Sequence, residues 1–297
     1  MSIASSLKAA GLAPEAAVNR TVPGADGGSM SQPAPWAGLR LRRWAALWRV
    51  FVVLRAFAVF LLVWYGLSAW NNNPLQLPSP VAVAQAFGAL AADGELLDNL
   101  SVSLLRLVVS LALAVLVGVP LGFLMGLSAL AERLIDPLVE ILRPISGIAW
   151  IPLGLFIFGV GDTLPVFIMV YVAFFPVVLN TLAGVRGVDR KFVQAARTMG
   201  VRRRDIWLHV VAPAAMPTIV VGVRLAFAGA WAAVIAAELI GSARGLGFAV
   251  EWNRQFLLTP NVFAYIGTIA IAGFLSDLAL RWLQARLSPW AHGTRLS

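Results

Sequence analysis

Long stretches of this chain carry no charged residue, among them 107–131, 144–161, 163–185 and 255–276. Each is near or above the roughly 18–20 residues that an α-helix needs to cross the hydrocarbon core of a bilayer. In that solvent every backbone N–H and C=O must be bonded within the protein, which leaves only helices or a closed barrel. A barrel would be written as ~10-residue segments of alternating polarity, whereas these runs are apolar throughout. Only 12% of the 297 residues are charged, about half the share usual in a soluble domain. The chain is therefore expected to be an all-α polytopic membrane protein.

Six spans are expected, at about 50–70, 107–127, 142–160, 164–182, 214–239 and 262–283. The apolar run 81–92 is too short to cross and is expected to lie along the interface. Residues 1–45, rich in Ala, Gly, Ser and Pro, read as a disordered tail. Met30 inside it is a candidate start, and the lack of an apolar core after Lys8 argues against a cleaved signal peptide. The membrane domain is placed at 46–290.

Lys and Arg set the orientation. With both ends in the cytoplasm, 17 basic residues fall inside and two, Arg244 and Arg254, outside. The net charge of +9 is thus a topology signal, and no nucleic-acid partner is expected. The bilayer itself is the first partner.

The longest inside loop, 184–213, is built for more than connection. Phe192, Ala195, Ala196 and Met199 recur at i, i+3, i+4 and i+7, one stripe of a helix. Gly200 can take the left-handed conformation that ends a helix. A second short helix is expected over 204–210, with Ile206 and Val210 on one side. Pro213 suits the first turn of the next span. Arg197, Arg202, Arg203 and Arg204 surround the stripe. Two readings fit: a surface helix on anionic lipid, or a docking helix for a soluble partner.

The spacing of Gln194-Ala195-Ala196, Gly200, Val210 and Ala212-Pro213 resembles the EAA loop of binding-protein-dependent ABC importer permeases. Gln194 stands where that motif has Glu, keeping hydrogen bonding without the charge, and Ala212 where it has Leu. The resemblance runs over about residues 75–285. "ERLIDPLVEILRPI" (132–145), "IPLGLFIFGVGD" (151–162) and "RLAFAGAWAAVIAAELIGSARGLGF" (224–248) are similar to permeases for aliphatic sulfonates, taurine and nitrate. The nearest likeness is to the sulfonate permeases. The resemblance implies a type I importer permease, usually dimeric and expected here as a homodimer. It implies two cytoplasmic ATPase subunits docked on the EAA loops, and a periplasmic or surface binding protein delivering a small anion.

The motifs agree with that division of labour. Neither lysine, Lys8 or Lys191, ends a G-x-x-x-x-G-K-[ST] sequence, so no P-loop is present. There is no Cys, and the two histidines are far apart. Neither a cofactor nor a metal site is expected. A membrane enzyme is disfavoured on the same grounds. An ion-gradient transporter would be expected to show paired repeats with interrupted helices, and none is legible.

Within the spans, Arg224, Trp231 and Glu238 are seven residues apart and fall on one side of a helix. Arg224 and Glu238 are ~21 Å apart along it and cannot pair. That side either lines the pathway, with Arg224 attracting an anion, or is structural. In the structural reading Arg224 pairs with an acid on another helix, Trp231 packs, and Glu238 bonds the turn at 245–247. Asp277 and Arg281 are expected to pair at i, i+4. Arg133, Asp136, Glu140 and Arg143 form a mixed-charge stripe with local pairing, and Arg55 and Arg106 are expected to snorkel to the interface. Gly118, Gly122 and Gly126 offer a face for close helix packing.

Overall fold

The computed structural model describes residues 35–71 and 73–287. Met30 and most of the expected tail lie outside them. The chain divides into two units, Met1–Val59 and Phe60–Ser297, with the boundary inside helix α1 (Pro35–Asn71). No strand occurs among the described residues.

Among the described residues of the second unit ten further α-helices follow: α2 (Pro80–Ala92), α3 (Glu95–Leu127), α4 (Ala129–Leu142), α5 (Ile151–Phe158), α6 (Thr163–Arg186), α7 (Arg190–Thr198), α8 (Arg203–Ile206), α9 (Ala212–Gly241), α10 (Leu246–Gln255) and α11 (Thr259–Leu287). Among the described residues five segments are long and apolar enough to cross a membrane, 54–71, α3, α6, the run from α8 through α9, and α11, and the bent pair 129–142 and 147–158 makes a sixth if it is one span.

The core is the three-helix packing of α3, α6 and α9. Along α6, Leu164, Ile168, Met169, Ala173, Val177 and Val178 have no exposed surface. Small residues let the neighbours come this close. A methyl group on Gly118 would lie 2.9 Å from Val177, one on Gly122 2.7 Å from Thr181 Cβ and the Val178 carbonyl, and one on Gly126 2.6 Å from Val185. On α9 a methyl on Gly222 would meet the Pro176 carbonyl at 2.9 Å. In lipid such close backbone approach replaces the hydrophobic effect as the source of helix association. Gly122→Val is therefore expected to lower stability by about 1–3 kcal/mol. Thermal unfolding of the purified protein in detergent checks this.

The third expected span is not one helix. The chain bends by 85° between α4 and the segment Gly147–Phe158. Pro144 has no N–H to continue α4. Arg143 N–H makes the last bond of that helix, to the Val139 carbonyl, and Ile145 closes a tighter turn on Leu142. Ser146 is extended, a 3₁₀ turn covers Gly147–Trp150, and Pro152 then opens α5. The same Leu142 carbonyl also accepts from the Tyr171 hydroxyl at 2.6 Å.

The apolar run before α3 folds as α2, begun by Ser79, whose hydroxyl accepts from Ala82 N–H. Leu90 on it packs with Leu96, Leu246 and Tyr265. Near the end of α1, Trp64 stacks on Phe263 at 5.8 Å and donates to the Pro78 carbonyl.

Candidate functional site

The loop between α6 and α9 is a folded hairpin. Asp189 caps α7, its side chain accepting from Lys191 N–H at 2.9 Å. The helix ends where Gly200 takes φ +74°, with Gly200 N–H donating to the Arg197 carbonyl and Val201 N–H to the Ala196 carbonyl. The expected second helix is only the single turn α8. A π-helical turn at Trp207–Val211 then carries the chain without a gap into α9. The wider turn stands just ahead of Pro213, whose ring would crowd the preceding turn of a regular α-helix.

The hairpin has two unlike faces. Ala196, Ile206 and Val211 are buried against Val185, Ala215 and Ile219. The other face is bare: Phe192 is 63% and Met199 74% exposed, with Ala195 and Gln194 exposed between them. The expected stripe is thus split, because Ala196 turns inward. Arg197, Arg202, Arg203 and Arg204 are exposed around it and make no ion pair among the described residues. Val210 is half-buried and Pro213 exposed.

The opposite end of the same helices carries a buried polar cluster. Arg106 on α3 is 4% exposed, so it does not snorkel. Its Nη1 donates to Glu238 Oε1 at 2.7 Å and to the Arg244 carbonyl at 2.9 Å. Its Nη2 donates to Ser242 Oγ at 2.7 Å and pairs with Asp162. Glu238 has no exposed surface. It accepts from Gly247 N–H at 3.0 Å and from Ser103 Oγ, which in turn accepts from Leu246 N–H. Asn99 accepts from Gly245 N–H. Gly245, at φ +113°, leaves the room that the Glu238 carboxylate fills; a Cβ there would sit 2.5 Å from it. The expected bond from Glu238 to the 245–247 turn is present. Arg106 and Asp162 were not foreseen in it.

The other intramembrane residues are placed as follows. Arg224 on α9 donates to Asp277 on α11 at 2.9 Å, and Arg281 to the same carboxylate at 2.8 Å. Trp231 stacks on Phe227 at 6.3 Å and presses on Gly273. In the charged stripe of α4 no residue pairs with another; the ion pair of that helix is Glu132 with Arg186. Between the spans, Glu251 on α10 accepts from Arg254, which holds its carboxyl at about 2, so the pair stays charged around neutrality.

Residues 118–289, more than half the chain, match the model of a family described as the binding-protein-dependent transport system inner membrane component. The chain belongs to that family. It is an inner-membrane permease subunit of an ABC importer. Its matched part runs from Gly118 through the hairpin to the end of α11, and excludes Ser103 and Arg106. Relatives of the permease include the taurine transport system permease protein TauC of Escherichia coli (strain K12), 38% identical over 84% of this chain and 93% of that protein. The putative aliphatic sulfonates transport permease protein SsuC of Bacillus subtilis (strain 168) is 34% identical over 78% of this chain and 85% of that protein. The nitrate import permease protein NrtB of Leptolyngbya laminosa is 27% identical over 79% and 86%. Among solved structures, a chain of the inward-facing MetNI methionine ABC transporter superposes with a TM-score of 0.55 at 18% identity, over 63% of this chain and 93% of that one. That likeness concerns the fold, the type I importer permease architecture.

Proposed function

We propose that this permease imports aliphatic sulfonates, as one of two identical membrane subunits driven by cytoplasmic ATPases and fed by an external binding protein. The names of the taurine and sulfonate relatives support the substrate; nitrate, another small oxyanion, is the alternative they leave. The excess of Lys and Arg supports placing the α7 hairpin and both termini in the cytoplasm. In this reading the hairpin receives the ATPase. The observation that carries it is the hairpin's two faces. One side is anchored to the permease through Ala196, Ile206 and Val211, and the other leaves Phe192, Ala195 and Met199 uncovered. A loop that only connects two spans needs no such surface. Glu238 and Trp231 serve the frame, and Arg224, already held by Asp277, holds α9 to α11.

Uptake tests the reading. The permease is reconstituted in liposomes with its partner ATPase and binding protein, and labelled ethanesulfonate is supplied outside. Uptake is expected to require internal ATP and to survive ionophores. Uptake that ignores ATP and collapses with the ion gradient would overturn the importer mechanism. ATP-driven uptake of nitrate but not of ethanesulfonate or taurine would move the substrate to the alternative.

A further inference from the structure

A cavity of about 640 Å³ lies where the third span breaks. It is lined from the break by Arg143 and Ser146, from α6 by Tyr171 and Asn180, and from α9 by Gly229 and Ala232. Tyr171 is eight residues from the start of α6 and Asn180 six from its end. The cavity therefore sits roughly 12 Å from one end of that span and 9 Å from the other. It is at mid-depth, within the size range of small-ligand sites.

We propose that Arg143 is the group on the translocation path that holds the transported anion. No Asp or Glu lines the cavity. Arg143 makes no ion pair among the described residues, not even with Glu140 one turn before it. An unpaired guanidinium at this depth is costly unless water or a ligand answers it. Its flat fork of donors matches the oxygens of a sulfonate or nitrate. The break itself fixes where Arg143 stands. Tyr171 spends its proton on the Leu142 carbonyl, and Asn180 donates one N–H to the Pro176 carbonyl, leaving its second N–H and its oxygen. Trp150, 5.6 Å from Tyr171, has its indole N–H buried without an acceptor. Arg143, the second Asn180 N–H and the Trp150 indole N–H are thus donors left open around the break, which is what an anion needs. An interrupted helix at mid-depth is also where transporters of other classes build their sites. By contrast the cavity at the Arg106 end is lined by two carboxylates, Glu95 and Asp98, against one guanidinium, Arg244, a balance less suited to an anion.

This assignment rests on the substrate being a small anion, and the test separates the two. The complete transporter, permease with ATPase and binding protein, is reconstituted in liposomes, and uptake of taurine, ethanesulfonate and nitrate is measured. For the anion that the wild type carries, Arg143→Gln is expected to cut uptake about tenfold or more, while binding-protein-stimulated ATP hydrolysis stays within about twofold. Arg143→Lys keeps the charge and is expected to retain most of the uptake. A second pair leaves Arg143 in place: Ala232→Asp, across the cavity, is expected to depress uptake as strongly, and Ala232→Asn to spare it. The Ala232 pair decides the matter should Arg143→Gln fail to reach the membrane. Wild-type uptake in Arg143→Gln, or equal uptake in Ala232→Asp and Ala232→Asn, overturns the assignment and leaves the substrate reading standing. A wild-type transporter that carries none of the three anions overturns the substrate reading, and the assignment with it.

Discussion

Replacing Glu238 with Ala is expected to destabilise the permease by about 3–5 kcal/mol, because it strands a buried guanidinium. Arg106 would keep only Asp162, whose side chain is 82% exposed, together with Ser242 and the Arg244 carbonyl. Gly247 N–H and Ser103 would lose their acceptor at the same stroke. The cluster ties α3 to α9 and to the turn that starts α10, so the loss is shared by the whole end of the bundle. Thermal unfolding in detergent is expected to shift down by on the order of 10 °C. Glu238→Gln, which keeps an acceptor, should lose less. A midpoint for Glu238→Ala within a degree or two of wild type would mean that the cluster is paired but not needed.

How far this architecture could be read from the residues depends on the range of each interaction. Hydropathy is local, so the crossing segments are legible in the residues, six expected against five or, with the bent pair, six, as is the glycine face of α3. The bond from Glu238 to the 245–247 turn was also legible, because donor and acceptor are nine residues apart. Its ion pair with Arg106 spans 132 residues, and nothing in the surroundings of Arg106 distinguishes it from an arginine at a span end. The break in the third span had a visible cause in Pro144. Pro120, Pro176 and Pro217 sit inside α3, α6 and α9 without ending them, so a proline alone does not mark which span will break.

The hairpin shows the same limit at closer range. Period and Gly200 placed α7 and its end. Residues one apart on a helix point ~100° apart, and only the packing of Ile206 and Val211 decided that Ala196 would turn inward and Ala195 outward. That detail selects the variant. Ala196→Glu would bury a carboxylate under the hairpin and spoil its own fold, so loss of a partner would prove nothing about docking. Ala195→Glu puts the same charge on the exposed face, between Phe192 and Met199, and leaves the buried contacts alone.

If the bare face is the seat of the ATPase, Ala195→Glu should be as abundant in the membrane as wild type and unfold at the same temperature. It should retain about a tenth or less of the co-purifying ATPase, since a charge buried at an interface without a partner costs several kcal/mol, and uptake should fall in step. If the face instead lies on anionic lipid, the added carboxylate should leave the ATPase bound. Co-purification of the ATPase with Ala195→Glu, measured beside uptake in the same membranes, is the direct test: joint loss of both at normal permease abundance is the expected result, and wild-type levels of both would contradict the docking role of the hairpin.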